Sequence, residues 1–234
     1  MDEKYTPLGF MKENVPKGSH IIFLYENEID LLKIFPPFFA AGLKNNEFCL
    51  VIYPTLGLKQ KIIERLERLV ELERYINEKK IEFVYYKDFY FKNNIFCHEK
   101  VFEIIEKKLN IVEFGGVDGI RGAGDMSWVE DDLFKKVLVY EKGITEKYSK
   151  MEVLILCAYP VRKLSIPDLV DVLQSHMLVL YKKDKKWCLS ETVERKVLMR
   201  EINNLERFTR VAVDRELKMV KLKKKISELK ENKA

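Results

Sequence analysis

The chain has 234 residues, 47% of them hydrophobic, which is enough to bury a full core in one α/β domain with an appendage. Its net charge of +5 comes from residues 191–234, where 13 Lys and Arg face 8 Asp and Glu; the body before them balances at 29 of each and is neutral. Cys49, Cys97, Cys157 and Cys188 make no CxxC pair, the amino terminus is polar and acidic, and no apolar run approaches the roughly 20 residues of a membrane span, so the expectation is a cytoplasmic protein with reduced thiols, no disulfides, no metal and no membrane partner.

Residues 1–19 lack periodicity and carry the turn formers Pro7, Gly9, Pro16 and Gly18, a lead-in segment. From His20 to Pro54 the chain reads as strand, acidic turn, helix and strand. The apolar runs 21–25 and 48–53 suit strands of a parallel sheet covered on both faces. The helix between them meets Pro36 and Pro37, where it either restarts or is kinked. Leu58 to Glu78 reads as one long amphipathic helix, and Ile81 to Tyr86 as a central parallel strand. A helix over Phe96 to Phe114 precedes Gly115 to Asp125, which is either a twisted strand with a bulge or a functional loop. A helix over Asp131–Tyr148, a buried strand over Val153–Tyr159 and a helix over Ile166–Met177 follow. Leu178–Tyr181 and Trp187–Leu189 then make a closing strand pair. The alternation predicts a mostly parallel, doubly wound α/β domain over 20–190.

Residues 191–234 contain neither proline nor glycine, and Leu198, Ile202, Leu205, Phe208, Ala212, Met219, Leu222, Ile226 and Leu229 fall at three-and-four spacings with one phase slip. A helix of about 40 residues would be about 60 Å long. The leading expectation is a coiled-coil homodimer; the alternative is a tail lying along the domain or partly disordered. Lys221 and Lys223–Lys225 read as a solvated face, and nucleic acid is not an expected partner.

In open parallel sheets ligands sit at the carboxyl ends of the strands. The residues following those ends are Glu26 and Asn27, Pro54 and Thr55, Lys87 and Asp88, then Arg121, Asp125 and Trp128, and last Tyr159 and Arg162. They mix aromatic faces, carboxylates and a guanidinium and could bind a small polar or amphipathic molecule. Asp125 has two plainer roles open to it, capping the following helix or pairing with Arg121. A nucleotide is a poor fit, because the first turn, Glu26 to Asp30, offers no glycine and no lysine. One like charge at about 4 Å costs roughly 1 kcal/mol in water and about 4 at an effective dielectric near 20; two or three would cancel much of a micromolar affinity of about 8 kcal/mol. These carboxylates suit the first turn of the helix instead. Catalytic signatures such as GxSxG or HExxH are missing, and Cys97-His98 is too little to assign a nucleophile. Each of His20, His98 and His176 reads as a hydrogen-bonded structural histidine.

The stretch HIIFLYENEIDLLKIFPPFFAAGLKNNEFCLVIYP, with IRGAGDMSW, LCAYPV and VLQSHMLVL after it, resembles the MEDS domain, the sensory domain named for methanogens, methylotrophs and a dichloromethane-responsive repressor. That family is similar to RecA/KaiC-type ATPase cores with a decayed phosphate loop. The resemblance implies a three-layer RecA-like fold without a Walker A motif or cofactor, and a non-catalytic sensory role for hydrocarbon derivatives or methylated compounds. Its motif positions are His20, Tyr25, Gly42, Leu43, Glu47, Arg121, Asp125, Trp128, Cys157, Tyr159 and His176. Together with the crevice reading, they make Tyr25, Glu26, Asn27, Arg121, Asp125, Trp128, Tyr159 and His176 the candidate ligand site. Implied partners are a small-molecule ligand, a second copy through 191–234, and a histidine kinase or transcriptional regulator in two-component signalling of an archaeal type. Two further readings stand beside it: a KaiC-like nucleotide-binding remnant, and a regulator that uses the basic tail.

Overall fold

A computed structural model describes residues 4–114 and 116–193, together with positions 196, 207, 209, 213 and 215–221. The chain divides into two units, Met1–Thr192 and Val193–Ala234. In the second, residues 215–221 are helical and exposed. The expected coiled coil falls mostly on residues outside the described ones.

The first unit opens with the hairpin β1 (Tyr5–Pro7) and β2 (Asn14–Pro16). Next come β3 (His20–Tyr25), α1 (Glu28–Lys44), β4 (Phe48–Tyr53), α2 (Leu56–Leu66), α3 (Leu72–Asn77) and β5 (Ile81–Tyr85). The chain continues through α4 (Tyr86–Tyr90), the small hairpin β6 (Phe91–Lys92) and β7 (Ile95–Phe96), α5 (His98–Phe114), β8 (Ile120–Asp125), α6 (Asp131–Tyr148) and β9 (Val153–Pro160). It closes with α7 (Ile166–Gln174), β10 (Leu178–Lys183) and β11 (Lys186–Glu191). Described residues form a seven-stranded sheet in the order β11-β10-β3-β9-β8-β4-β5, parallel except for the antiparallel β11.

Strand residues alternate between two cores, as the two-residue period of a strand requires. Ile21, Phe23, Val51, Leu154 and Leu156 pack with the apolar faces of α1, α2 and α3. Ile22, Leu50, Ile52, Val153 and Cys157 pack with α4 through α7. The result is the expected three-layer α/β architecture.

Several local expectations give way to tertiary context. Helix α1 runs through Pro36 and Pro37 as one helix, without a restart. Pro36 has no amide to offer the Leu32 carbonyl, and Arg65 Nη1 donates to that oxygen at 3.1 Å instead. The long helix over 58–78 is two helices, α2 and α3. A 21-residue helix would reach about 30 Å, well past a six-residue strand of about 20 Å, so the chain must turn back to enter β5. Strand β5 is an edge strand, not a central one; Glu82 on it is exposed and paired with Lys108, a charge that blunts the open edge. Of the glycine-rich stretch, Ile120–Asp125 is the buried strand β8, while residues 116–119 before it are in neither helix nor strand. A Cβ on Gly124 would come within 3.0 Å of Tyr90 Oη, so glycine there leaves room for that ring.

Arg121 is the second residue of β8, and it lies at the opposite end of the sheet from the expected crevice. Its side chain has 0% exposure. Nε donates to Glu47 Oε2 at 2.6 Å, Nη1 to the Phe38 carbonyl at 2.8 Å and Nη2 to Thr6 Oγ1 at 2.8 Å. Thr6 in turn donates to Glu47 Oε1 at 2.5 Å, and Asn45 Nδ2 reaches the same oxygen at 2.8 Å. A Cβ on Gly42 would sit 2.7 Å from Arg121 Cδ and Nε, so only glycine lets α1 pass over the guanidinium. Removing one partner of such a buried pair strands a charge and costs about 3–5 kcal/mol, whereas an apolar pair of similar volume is close to neutral. Arg121→Met alone is expected to lower the unfolding free energy obtained by urea titration by that amount, and Arg121→Met with Glu47→Leu to recover a large part of it; equal free energies for the single and double variants would show that the pair does not act as a unit.

Candidate functional site

At the carboxyl ends of the strands, the turn after β3 is closed by its own side chains. Asn27 Oδ1 accepts from the Asp30 amide at 3.3 Å, and Asp30 Oδ2 accepts from the Glu26 amide at 3.2 Å. Asp30 is buried and its other oxygen takes a hydrogen bond from Lys182 Nζ at 3.1 Å; Glu28 pairs with Lys61. The positive dipole end and the Asp30 amide, which would serve a phosphate in this position, face carboxylates and a carboxamide instead. Glu26 and Asn27 are themselves exposed.

Beside that turn, Tyr25 Oη donates to Asp125 Oδ1 at 2.7 Å, and Asp125 also accepts from the Ser127 amide at 3.0 Å and the Ser127 hydroxyl at 2.9 Å. Asp125 therefore ties β3 to the turn after β8. It neither pairs with Arg121 nor caps α6, whose cap position is Glu130. Burial raises the Asp125 carboxyl above its usual range and raises the Tyr25 phenol. Trp128 follows on that turn, within an aromatic set. It stacks on Tyr86 at 5.3 Å between ring centroids and meets Tyr90 at 4.8 Å, Phe91 at 5.4 Å and Phe96 at 6.2 Å. Its indole Nε1 is buried and has no hydrogen-bond partner.

A third group lies between the sheet and α6. His20 from β3, Cys157 from β9, Glu141 from α6 and His176, two residues beyond α7, bring one donor atom each to within 4.8 Å of the others. His20 Nε2 is 3.1 Å from Glu141 Oε2 and 3.4 Å from Cys157 Sγ; Cys157 Sγ is 3.4 Å from Glu141 Oε2, and His176 Nε2 is 3.7 Å from it. Tyr159 Oη donates to Glu141 Oε1 at 2.5 Å. The peptide joining His176 to Met177 also anchors the end of the first unit. Thr192 Oγ1 bonds the His176 and Met177 carbonyls at 2.6 and 3.0 Å, and the Thr192 amide donates to the Met177 carbonyl at 3.0 Å.

The expected ligand site is thus spread over separate places. Tyr25 and Asp125 touch; Glu26 and Asn27 belong to the capped turn; Trp128 stands in the aromatic set; Tyr159 and His176 join the His20 group; Arg121 is at the far end of the sheet. Glu141 had no place in the sequence reading. Its signal was an acidic residue within the buried stripe of α6, which otherwise holds Val137, Tyr140, Ile144 and Tyr148. A groove of about 550 Å³ lies at the amino ends of the strands, where Lys4 and Lys17 are paired with Glu152. No helix among the described residues is long and apolar enough to cross a membrane.

The family model of the methanogen/methylotroph, DcmR sensory domain, MEDS, matches residues 19–177. No curated protein sequence matches the chain. Among solved structures the chain is similar to a KaiC-like protein of the archaeon Pyrococcus horikoshii OT3, with a TM-score of 0.54 and 13% identity over 82% of this chain and 91% of that one. It is also similar to an uncharacterised Pyrococcus horikoshii protein solved with an unknown peptide, with a TM-score of 0.54 and 16% identity over 75% and 83% of the two chains. At these identities the likeness establishes the shared fold.

Burial lowers both His20 and His176 to about 3, from about 6.5. Unfolded histidines bind protons that the folded ones refuse, so the pair's contribution to stability is present above pH 6.5 and is lost as pH falls towards 3. Glu141, raised by burial, works in the opposite sense, losing stability as pH rises above 4.5. The denaturation midpoint of the wild type is expected to fall more steeply from pH 7 to 5 than that of the His20→Gln, His176→Gln double variant. Equal slopes would show that these imidazoles are not held neutral.

Proposed function

The chain belongs to the MEDS family of sensory domains, and from that premise we propose that its first unit binds a small, largely apolar molecule with a hydrogen-bond acceptor beside Trp128 and reports it to a partner without catalysing a reaction. The observation that carries this reading is the buried, unpartnered Trp128 Nε1 inside the aromatic set. An unsatisfied buried donor costs about 1–3 kcal/mol, which an acceptor on a ligand would recover, while the ring faces take the apolar body. Phe91 and Phe96 come from the β6–β7 hairpin, whose strands have two residues each and whose turn is built on Asn93 and Asn94 at φ of 52° and 61°. So small a hairpin has little stability of its own and can open to admit the molecule. Hydrocarbon derivatives or methylated compounds, the class implied by the family, suit this lining.

A nucleotide is the second reading, favoured by the KaiC-like fold. The side-chain caps at Asn27 and Asp30 weigh against it, since they take the Asp30 and Glu26 amides and place carboxylates where a phosphate would sit. For the output, we place a second copy of the chain and a histidine kinase or transcriptional regulator at residues 191–234, where Val213, Leu217, Met219 and Val220 are exposed apolar residues on described positions. Ligand binding would alter the geometry of the paired tails.

Trp187→Phe leaves Trp128 as the single tryptophan. In that variant a panel of small alcohols and methylated amines should include members that change the indole emission saturably, and native mass spectrometry should find a related molecule on the purified chain. Flat emission across the panel together with a ligand-free mass would overturn the reading. Magnesium ATP is expected to leave the melting temperature unchanged; at 100 times a dissociation constant it would add about 2.7 kcal/mol, and a rise of that order would favour the nucleotide.

A further inference from the structure

We propose that His20, Glu141, Cys157 and His176 form a closed tetrahedral site for Zn²⁺. The inference does not depend on the Trp128 reading and concerns a different part of the domain. Zinc binds nitrogen at about 2.0–2.1 Å, sulfur at about 2.3 Å and carboxylate oxygen at about 2.0–2.2 Å, so the donors of a tetrahedral site stand roughly 3.3–3.7 Å apart. Four of the six donor separations here are 3.1, 3.4, 3.4 and 3.7 Å, and all six lie within 4.8 Å.

The surrounding hydrogen bonds aim the lone pairs inward. Thr145 spends its hydroxyl proton on the Ser175 carbonyl at 2.7 Å, so at 2.8 Å from His20 Nδ1 it can only accept. The Val172 carbonyl, 2.7 Å from His176 Nδ1, can only accept as well. Both imidazoles therefore carry their proton on Nδ1 and present a bare Nε2 to the cluster. His176 Nε2 is buried and has no hydrogen-bond partner. Tyr159 occupies Glu141 Oε1 and leaves Oε2 for the metal. Ligands fixed through their second polar atom in this way are a regular feature of metal sites.

Charge balances too. Two neutral imidazoles, a thiolate and a carboxylate offset the two positive charges of the ion, and the Cys157 proton, with any held by Glu141, leaves to solvent. Four protein donors leave no open position, which marks a structural or regulatory site rather than a catalytic one. A mixed nitrogen, sulfur and oxygen set in tetrahedral arrangement selects zinc over calcium or magnesium.

Because every donor is buried, the ion would load during folding. The full chain, unfolded with a chelator and refolded with Co²⁺ as a spectroscopic substitute, should bind a single ion per chain. It should show visible bands of tetrahedral intensity and a near-ultraviolet thiolate charge-transfer band, and Zn²⁺ should displace both. Cys157→Ser should lose the charge-transfer band and Cys97→Ser should keep it. Thr145→Val and Tyr159→Phe should weaken Zn²⁺ binding on the order of 10–100-fold. Refolded wild type without cobalt bands, or a charge-transfer band that survives Cys157→Ser, would overturn the site. Should Cys157→Ser fail to fold, Tyr159→Phe decides alone, and unchanged affinity in it would overturn the proposal.

Discussion

A guanidinium with no access to water must find its counter-charge and its acceptors inside the protein, and Arg121 does so from three separated parts of the chain: Thr6, Phe38 and Glu47. Desolvating each ion costs several kcal/mol, and the pair repays this only in good geometry with its remaining hydrogen bonds filled. The constraint spreads outward. Gly42 has to be glycine, α1 has to end where its last turn clears the guanidinium, and the β1–β2 hairpin has to dock so that Thr6 can bridge both charges. The lead-in segment is therefore part of the domain's interior.

The opposite end of the sheet is governed by the same economy of polar groups. A helix following the first strand of a parallel sheet offers free amides and a positive dipole end, and in this chain Asn27 caps the Asp30 amide while the Asp30 carboxylate lies at the dipole end and takes the Glu26 amide. The frame survives because it rests on apolar alternation and strand pairing, which do not involve the phosphate position. The three-layer frame therefore stands while its own side chains occupy this turn.

Much of this was legible in the sequence. Alternating and continuous apolar runs located β3, β4, β9 and the β10–β11 pair, and α6 was read with its observed ends. The failures share a cause: periodicity is local, while sheet order, element length and side-chain destination are set by the whole fold. Nothing in residues 58–78 announces that the helix must break to reach an edge strand. Arg121, expected among the residues that follow the strand ends, is the second residue of the strand Ile120–Asp125 and so lies at the sheet's other end. His20 and His176 stand far apart in the chain and pointed to no joint role. Strand β3 and the turn after α7 bring them together, with ring centroids 4.0 Å apart.

The hydrogen bonds from Thr192 to the carbonyls of His176 and Met177 have a mechanical meaning. They fasten the last residue of the first unit to the peptide that carries one of the buried imidazoles. A hydrogen bond is worth roughly 0.5–1.5 kcal/mol, and Thr192 commits both its donors here, the hydroxyl proton being shared between the two carbonyls. Breaking these bonds would free Thr192 and the His176 peptide together, so the order of the one depends on the other.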